Sequence, residues 1–333
     1  MRPPAIYRAS TSPGPNSGLA AGLSHPHPGG DSLAGGRHDD LESMLRPHKA
    51  AEARHGWRFA CVGHRLICRR RDSALAQRDG EVEVIVVDDA STDATAEVLE
   101  ASFGARIQLL RLEHRRGPGG ARNAGARLAH GELVGFLDSD DVWLPGKLDA
   151  ELAVLAQCPE AEVVVSDSQN FFESEADGES RFAQNGLLDA TGGAVCMAHN
   201  CRWLWTNSMN TVHTCSITMR RAALSRLGDR LFAEDLVCCE DWEFQMRLYH
   251  SCRVVVLPQV WSHVRRFNDG SRSGRNVPGR PTTPEQELML LRSRLTVMER
   301  ADWLQGLEAN LASELERFQA KTATDFRGLT QDS

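Results

Sequence analysis

Gly135-Phe136-Leu137-Asp138-Ser139-Asp140-Asp141 sets three carboxylates directly behind a short apolar run. Runs of this kind read as buried strands, so the acids emerge together at a strand's carboxyl end, where open α/β sheets bind ligands. Clustered carboxylates repel one another. A hard divalent cation relieves the repulsion and keeps coordination positions for diphosphate oxygens. A bare Asp-x-Asp is common in solvated loops; the strand before it and the Trp143-Leu144-Pro145 turn after it raise the functional reading.

Upstream, Val82-Glu83-Val84-Ile85-Val86-Val87 runs into Asp88-Asp89-Ala90-Ser91-Thr92-Asp93, a second acidic strand end. The β-branched run suits a buried parallel strand, and Ser91 or Thr92 is expected to cap a helix over Ala94 to Leu99. Capping needs fewer acids than the adjacent Asp88 and Asp89, which leaves one of them to face a ligand. Arg106 to Leu112 reads as a third strand. The glycine-rich Gly117-Pro118-Gly119-Gly120-Ala121-Arg122-Asn123-Ala124-Gly125 then opens a helix that could bring backbone N–H groups and Arg122 toward a nucleotide phosphate. It is not a dinucleotide fingerprint, because Arg122 stands where the third glycine belongs.

Downstream come a strand at Glu162 to Ser166, a strand at Thr214 to Met219, a helix from Arg220 to Leu227 stopped by Gly228, and Cys239-Glu240-Asp241-Trp242-Glu243-Phe244-Gln245-Met246-Arg247-Leu248. Taken in order, the segments around Asp88, Arg122, Asp138 and Asp241 resemble the family 2 glycosyltransferases, over roughly Leu66 to Ser273. The resemblance implies an α/β chain of GT-A fold, a single Rossmann-like mixed sheet flanked by helices, here with a helical C-terminal tail. It implies a hexosyltransferase-type enzyme of polysaccharide biosynthesis that takes a sugar from a nucleotide-diphosphate sugar. Asp89 and Asp88 would recognise a uridine-like nucleoside. Asp138 and Asp140 would be the Asp-x-Asp pair that binds ribose and an Mg2+ or Mn2+ ion. Asp241 would be the general base of one inverting displacement onto an acceptor hydroxyl, where Glu240-Asp241 alone would read as acids favoured by a helix N-terminus. Phe232-Ala233-Glu234-Asp235-Leu236 departs from the family at Ala233, and Asn268 stands where many relatives carry a histidine. His263 could substitute, and Arg265, Arg266 and Arg272 could instead neutralise diphosphate.

A net charge of −7 over 333 residues argues against a nucleic-acid partner, and Arg69-Arg70-Arg71 reads as a solvated helix face. No apolar run is long enough to span a bilayer, so membrane association is at most peripheral. Nine cysteines, without paired Cys-x-x-Cys spacing, suggest buried thiols in a reducing compartment. The expected place is therefore the cytoplasm, including the inner face of the plasma membrane. Cys196 to Cys201 is half of a zinc site without a second half. The acceptor, a glycan or lipid-linked molecule, would meet a region holding Trp203, Trp205 and His213, although tryptophans more often pack the domain.

The expected organisation is a disordered or non-native segment at 1–57, a GT-A domain at 58–275, and a helical tail at 276–333. Pro, Gly, Ser and His dominate Pro3 to Arg37. The first strand has shrunk to Phe59-Ala60-Cys61-Val62 before a helix ending near Gln77, and is expected at the nucleotide-binding edge. Either the sequence upstream of about Ser73 is not native, the favoured reading, or Arg58 to Val62 forms a degenerate strand. An incomplete strand would leave backbone groups unpaired. The alternative is then a catalytically inactive or truncated relative with only a sugar-nucleotide-binding or interaction role; a nucleotidyltransferase lacks its glycine-rich amino-terminal loop here. In the tail, Thr283-Pro284-Glu285-Gln286 signals a helix start, and Leu304, Leu307, Leu311, Leu315 and Phe318 recur at helical spacing.

Overall fold

In the computed structural model, which describes residues 59–64, 72–77, 81–172, 175–176, 178–191, 193–197, 212–228, 230–266, 284–300, 320 and 323–324, the β-branched runs form the middle of one ten-stranded sheet. Its strands are β1 (Phe59–His64), β2 (Val82–Asp88), β3 (Gln108–Arg111), β4 (Leu133–Asp138), β5 (Val142–Trp143), β6 (Val163–Phe172), β7 (Glu175–Ala176), β8 (Cys196–Met197), β9 (Ile217–Arg220) and β10 (Val254–Arg265). The order is β3-β2-β1-β4-β9-β6-β10-β5, with β7 beside β6 and β8 beside β10. The helices are α1 (Asp72–Leu75), α2 (Thr95–Phe103), α3 (Gly117–Leu128), α4 (Lys147–Gln157), α5 (Arg181–Gln184), α6 (Leu187–Thr191), α7 (Arg221–Leu224), α8 (Glu240–Ser251) and α9 (Pro284–Glu299). Ile85, Val86, Val87, Val134, Phe136, Val163 to Val165 and Val254 to Val256 are all fully buried, as continuous apolar strands covered on both faces must be.

Strands β3, β2, β1 and β4 are parallel, β9 runs antiparallel to β4 and β6, and β10 runs parallel to β6. The carboxyl ends of β2, β1, β4, β6 and β10 therefore share one edge with the amino end of β9. Since β1 is flanked by β2 on one side and β4 on the other, that edge carries a topological switch point, where such sheets bind ligands.

The first strand differs from its expected form. It is six residues long and interior, with Phe59 opposite Val82 and Leu133 and His64 opposite Val87 and Asp138. Two parallel neighbours ladder its backbone, so the unpaired groups expected of a shortened edge do not arise. The strand expected at Thr214 to Met219 begins only at Ile217: Thr214–Ser216 is a 3-10 turn, and the Cys215 carbonyl accepts from Trp143 Nε1 at 2.8 Å and Ser262 Oγ at 3.1 Å instead of joining a ladder. The third strand is likewise short, because Gly104–Arg106 closes a 3-10 turn with Ile107 N–H on the Gly104 carbonyl. At α2 neither Ser91 nor Thr92 caps; Asp93 Oδ1 accepts from Thr95 N–H at 3.1 Å. Residues 1–57, Arg69 to Arg71, Cys201, Trp203, Trp205, Asn268, Arg272, Thr283 and the Leu304 to Phe318 stripe lie outside the described residues.

Candidate active site

Strand β4 delivers Asp138 to the switch point with Phe136, two residues earlier, buried on the same side. The chain turns at once, Asp141 N–H bonding the Asp138 carbonyl at 3.1 Å. Asp141 is 4% exposed and accepts from Arg265 N–H at 3.1 Å, which ties the turn to the end of β10. Burial, reinforced by Asp140 and Asp138, pushes its carboxyl well above the usual range. Three carboxyl groups thus crowd this turn, and Asp141 holds its proton more tightly than an exposed acid.

The glycine-rich helix α3 organises what surrounds it. Asp89 Oδ1 accepts from Arg116 N–H at 2.6 Å and Oδ2 from Gly117 N–H at 2.9 Å, so this carboxylate caps the helix start from another loop. Asp88, fully buried, accepts from Ser91 N–H at 3.2 Å and lies 3.8 Å from Arg111 Nε. Gly119 permits a close approach, since a Cβ there would stand 3.2 Å from Phe232 Cβ and 3.3 Å from Glu240 Cγ. Asn123 clamps the Phe232 backbone from both sides, Nδ2 to its carbonyl at 2.8 Å and Oδ1 from its N–H at 2.9 Å. Arg116 forks onto Glu234 at 2.6 and 2.8 Å. These contacts latch the loop before α8 onto α3.

Arg122 completes the bridge. Its Nη2 donates to Asp138 at 2.6 and 2.7 Å, Nη1 lies 3.5 Å from Glu240 Oε1, and the guanidinium sits 5.2 Å over the Phe232 ring. Burial works against its charge, yet Asp138, Glu240 and Asp241 together hold its pKa above the ordinary arginine value. Arg122 is thus engaged by carboxylates, and it brings the end of β4 and the start of α8 to one crevice. Aromatic packing fixes the same relation: Phe136, Phe232 and Phe244 form a trio with ring centroids 4.3 to 6.0 Å apart. At the head of α8, Cys239 has φ +66°, a left-handed strain in a non-glycine residue that sets the direction in which Asp241 leaves the loop. Asp241 Oδ1 accepts from Trp242 N–H at 2.8 Å.

Among the described residues no three His, Cys, Asp or Glu side chains form a metal cage. The donor set nonetheless fits a cation completed by substrate: Mg2+ is commonly bound by one or two carboxylates plus substrate phosphates. Arg122 engages Asp138, so Asp140 would be the principal protein ligand of such an ion. His263 packs 5.9 Å from the Phe171 ring, and burial lowers its pKa. Residue-by-residue reading of the sequence passes over Asn123 and the phenylalanine trio; the only local signal for Asn123 is its place beside Arg122.

The family model for glycosyl transferase family 2 matches residues 65–227. The chain is 50% identical over 82 residues to the succinoglycan biosynthesis protein ExoO of Rhizobium meliloti, a match covering 25% of this chain and 24% of that protein. The chain thus spans about a quarter of the length of this curated relative. Among solved structures it is similar to S. aureus TarS 1-349 in complex with UDP-GlcNAc, at TM-score 0.58 and 24% identity over 78% of this chain and 71% of that one. It is similar also to the mannosyltransferase PcManGT of Pyrobaculum calidifontis in complex with GDP-Man and Mn2+, at TM-score 0.53 and 15% identity over 83% and 73%. At these identities the structural likeness is one of fold. Sequence match and fold agree: residues 65–227 match the family 2 glycosyltransferase model, on a fold like that of these GT-A enzymes.

Proposed function

We propose that this protein transfers a sugar from a nucleotide-diphosphate sugar to an acceptor hydroxyl, with inversion at the anomeric carbon, in the synthesis of an envelope or cell-surface glycan. The observation that carries this reading is the Arg122 bridge, which holds Asp138 and the Glu240-Asp241 helix start at one crevice on the switch-point edge. The likeness to TarS bound to UDP-GlcNAc and to PcManGT bound to GDP-Man and Mn2+ supports the donor class and the metal, and the likeness to the succinoglycan biosynthesis protein ExoO supports the glycan class.

Asp241 takes the proton of the acceptor hydroxyl as that oxygen attacks the anomeric carbon. The bond from this carbon to the diphosphate oxygen breaks, and its electron pair leaves with the nucleotide. One displacement inverts the centre. Asp140 and Asp138 would hold Mg2+ or Mn2+, whose chemistry is Lewis-acid stabilisation of the leaving diphosphate. Asp88 and Asp89 shape the nucleoside pocket, Asp89 by fixing the β2 turn to α3. Arg122 acts through Asp138, setting its orientation and balancing its charge. Glycan or lipid-linked molecules are the proposed acceptors, met in the cytoplasm or at the inner membrane face; no described helix is long and apolar enough to cross a membrane. The inactive alternative loses its motive, since β1 is paired on both sides.

Release of nucleotide from UDP-glucose, UDP-GlcNAc and GDP-mannose with Mn2+ tests the reading. At least one donor should be consumed, and Asp241→Asn should cut turnover by about a hundred- to ten-thousand-fold while donor affinity holds. Near wild-type turnover in Asp241→Asn would place the base elsewhere.

A further inference from the structure

The segment that carries the acidic turn is anchored at its far end by buried charge. After Asp141 the chain runs through β5 to α4, and Trp143 is fully buried there, its Nε1 donating to the Cys215 carbonyl at 2.8 Å. Leu144 N–H bonds the Trp261 carbonyl at 3.0 Å. The indole fills the space over β4, since a Cβ at Gly135 would stand 3.1 Å from Trp143 Cη2. Lys147 then opens α4 with its side chain fully buried, as is that of Glu151 one turn on, and the two form an ion pair. Glu151 Oε2 accepts from Thr218 Oγ1 on β9 at 2.9 Å, and its Oε1 from Ser166 Oγ on β6 at 3.4 Å. Lys147 Nζ also donates to Thr218 Oγ1 at 3.4 Å and lies 5.0 Å from the centroid of the Trp143 ring.

Local preference opposes this arrangement. A cation at the first position of a helix meets the positive end of the macrodipole, and a glutamate four residues after a lysine is the weaker order of such a pair. Burial desolvates both charges, and apolar side chains of equal size often hold a core as well or better. Chains break local rules of this kind chiefly at functional sites. What the pair adds is direction, because each hydrogen bond fixes an orientation that apolar packing leaves loose. We propose that Lys147 and Glu151 are positioning residues, whose pair locks the segment from Asp138 to Lys147 onto β9 and β6 and thereby holds Asp140 where a donor-bound cation would meet it. The metal role rests on the glycosyltransferase reading; the fixing of the turn rests on the contacts alone.

Hydrogen exchange read by mass spectrometry on the full chain tests the turn, and calorimetry of UDP binding tests its consequence. Lys147→Met/Glu151→Gln removes both charges, keeps the bulk and leaves the Thr218 hydroxyl an acceptor; it should fold with a urea midpoint near that of the wild type. Peptides covering Asp138 to Leu144 should then exchange about tenfold faster while those of β2 stay within about twofold. The gain in UDP affinity from Mn2+ should fall by about 10- to 100-fold, with metal-free UDP affinity unchanged. Thr218→Val, which removes only the hydroxyl that joins the pair to β9, should shift both readouts the same way by a smaller factor, and it decides the matter if the double variant does not fold. The proposal is overturned if the turn of a folded variant exchanges as in the wild type, if the Mn2+ gain persists in full, or if β2 accelerates along with the turn, since the pair would then serve stability alone. A wild-type protein that gains nothing from Mn2+ would sink the metal reading, and exchange at the turn alone would then decide the positioning.

Discussion

At the carboxyl edge of the sheet, the half built from β2, β1 and β4 presents acids, while the half built from β9, β6 and β10 presents Arg266 beside His213. The acids are tied to partners within the chain: Asp89 to the first N–H groups of α3, Asp88 to Ser91 and Arg111, Asp138 to Arg122. Arg266 is tied by hydrogen bonds to neutral groups, Asn170 and His213. The acidic half fixes its charges beforehand through partners of opposite sign or backbone N–H groups, whereas on the opposite half Arg266 is held by an amide and an imidazole.

The comparison breaks most severely at the aromatic hinge that joins β4 to α8. Phe232→Ala removes a ring packed on Phe136, Phe244 and Arg122 and should cost about 3–5 kcal/mol in urea unfolding; a loss under about 1 kcal/mol would show that the loop is positioned by Asn123 and Arg116 alone. Next comes Arg122→Gln. Removing one partner of a buried pair typically costs about 3–5 kcal/mol, and the lower end applies here because Asp138 is 35% exposed and reachable by water. If Asp138→Asn in the same background fails to restore part of the loss, the two side chains are not coupled as described. Asn123→Ala leaves the Phe232 N–H and carbonyl without their clamp and should cost about 2 kcal/mol, with a matching fall in turnover as the head of α8 loosens; unchanged turnover would free α3 from the latch role. The smallest effect is expected at Ala90, whose φ of +54° is a left-handed conformation that favours glycine. Ala90→Gly relieves about 1 kcal/mol of strain and returns part of it as added freedom in the unfolded chain, for a net gain of a few tenths of a kcal/mol in the melting curve. Destabilisation there would mean that the Ala90 methyl packs against the nucleoside pocket wall.

The long apolar runs and the order of the acidic motifs were legible in the sequence, because continuous β-branched stretches and carboxylates behind them are local patterns. The first strand was legible only in part, as a shortened Phe59 to Val62 of doubtful pairing. Phe59-Ala60-Cys61-Val62-Gly63-His64 has weak strand character of its own and is set by two parallel neighbours, an effect of context that no short window contains. The latch was hidden for a related reason: Asn123 meets Phe232 across 109 positions and Arg116 meets Glu234 across 118. Arg122 showed its charge in the sequence but not its destination, since a guanidinium near a glycine-rich helix start suits a phosphate as well as a carboxylate.

Asp138 and Asp140 are proposed to serve a nucleotide diphosphate through a divalent cation, and calorimetry of UDP binding with and without Mg2+ or Mn2+ measures that role. UDP should bind markedly tighter with either ion, and Asp140→Ala should abolish that gain while the protein keeps its fold. Equal UDP affinity with and without metal in the folded wild-type protein would contradict the account.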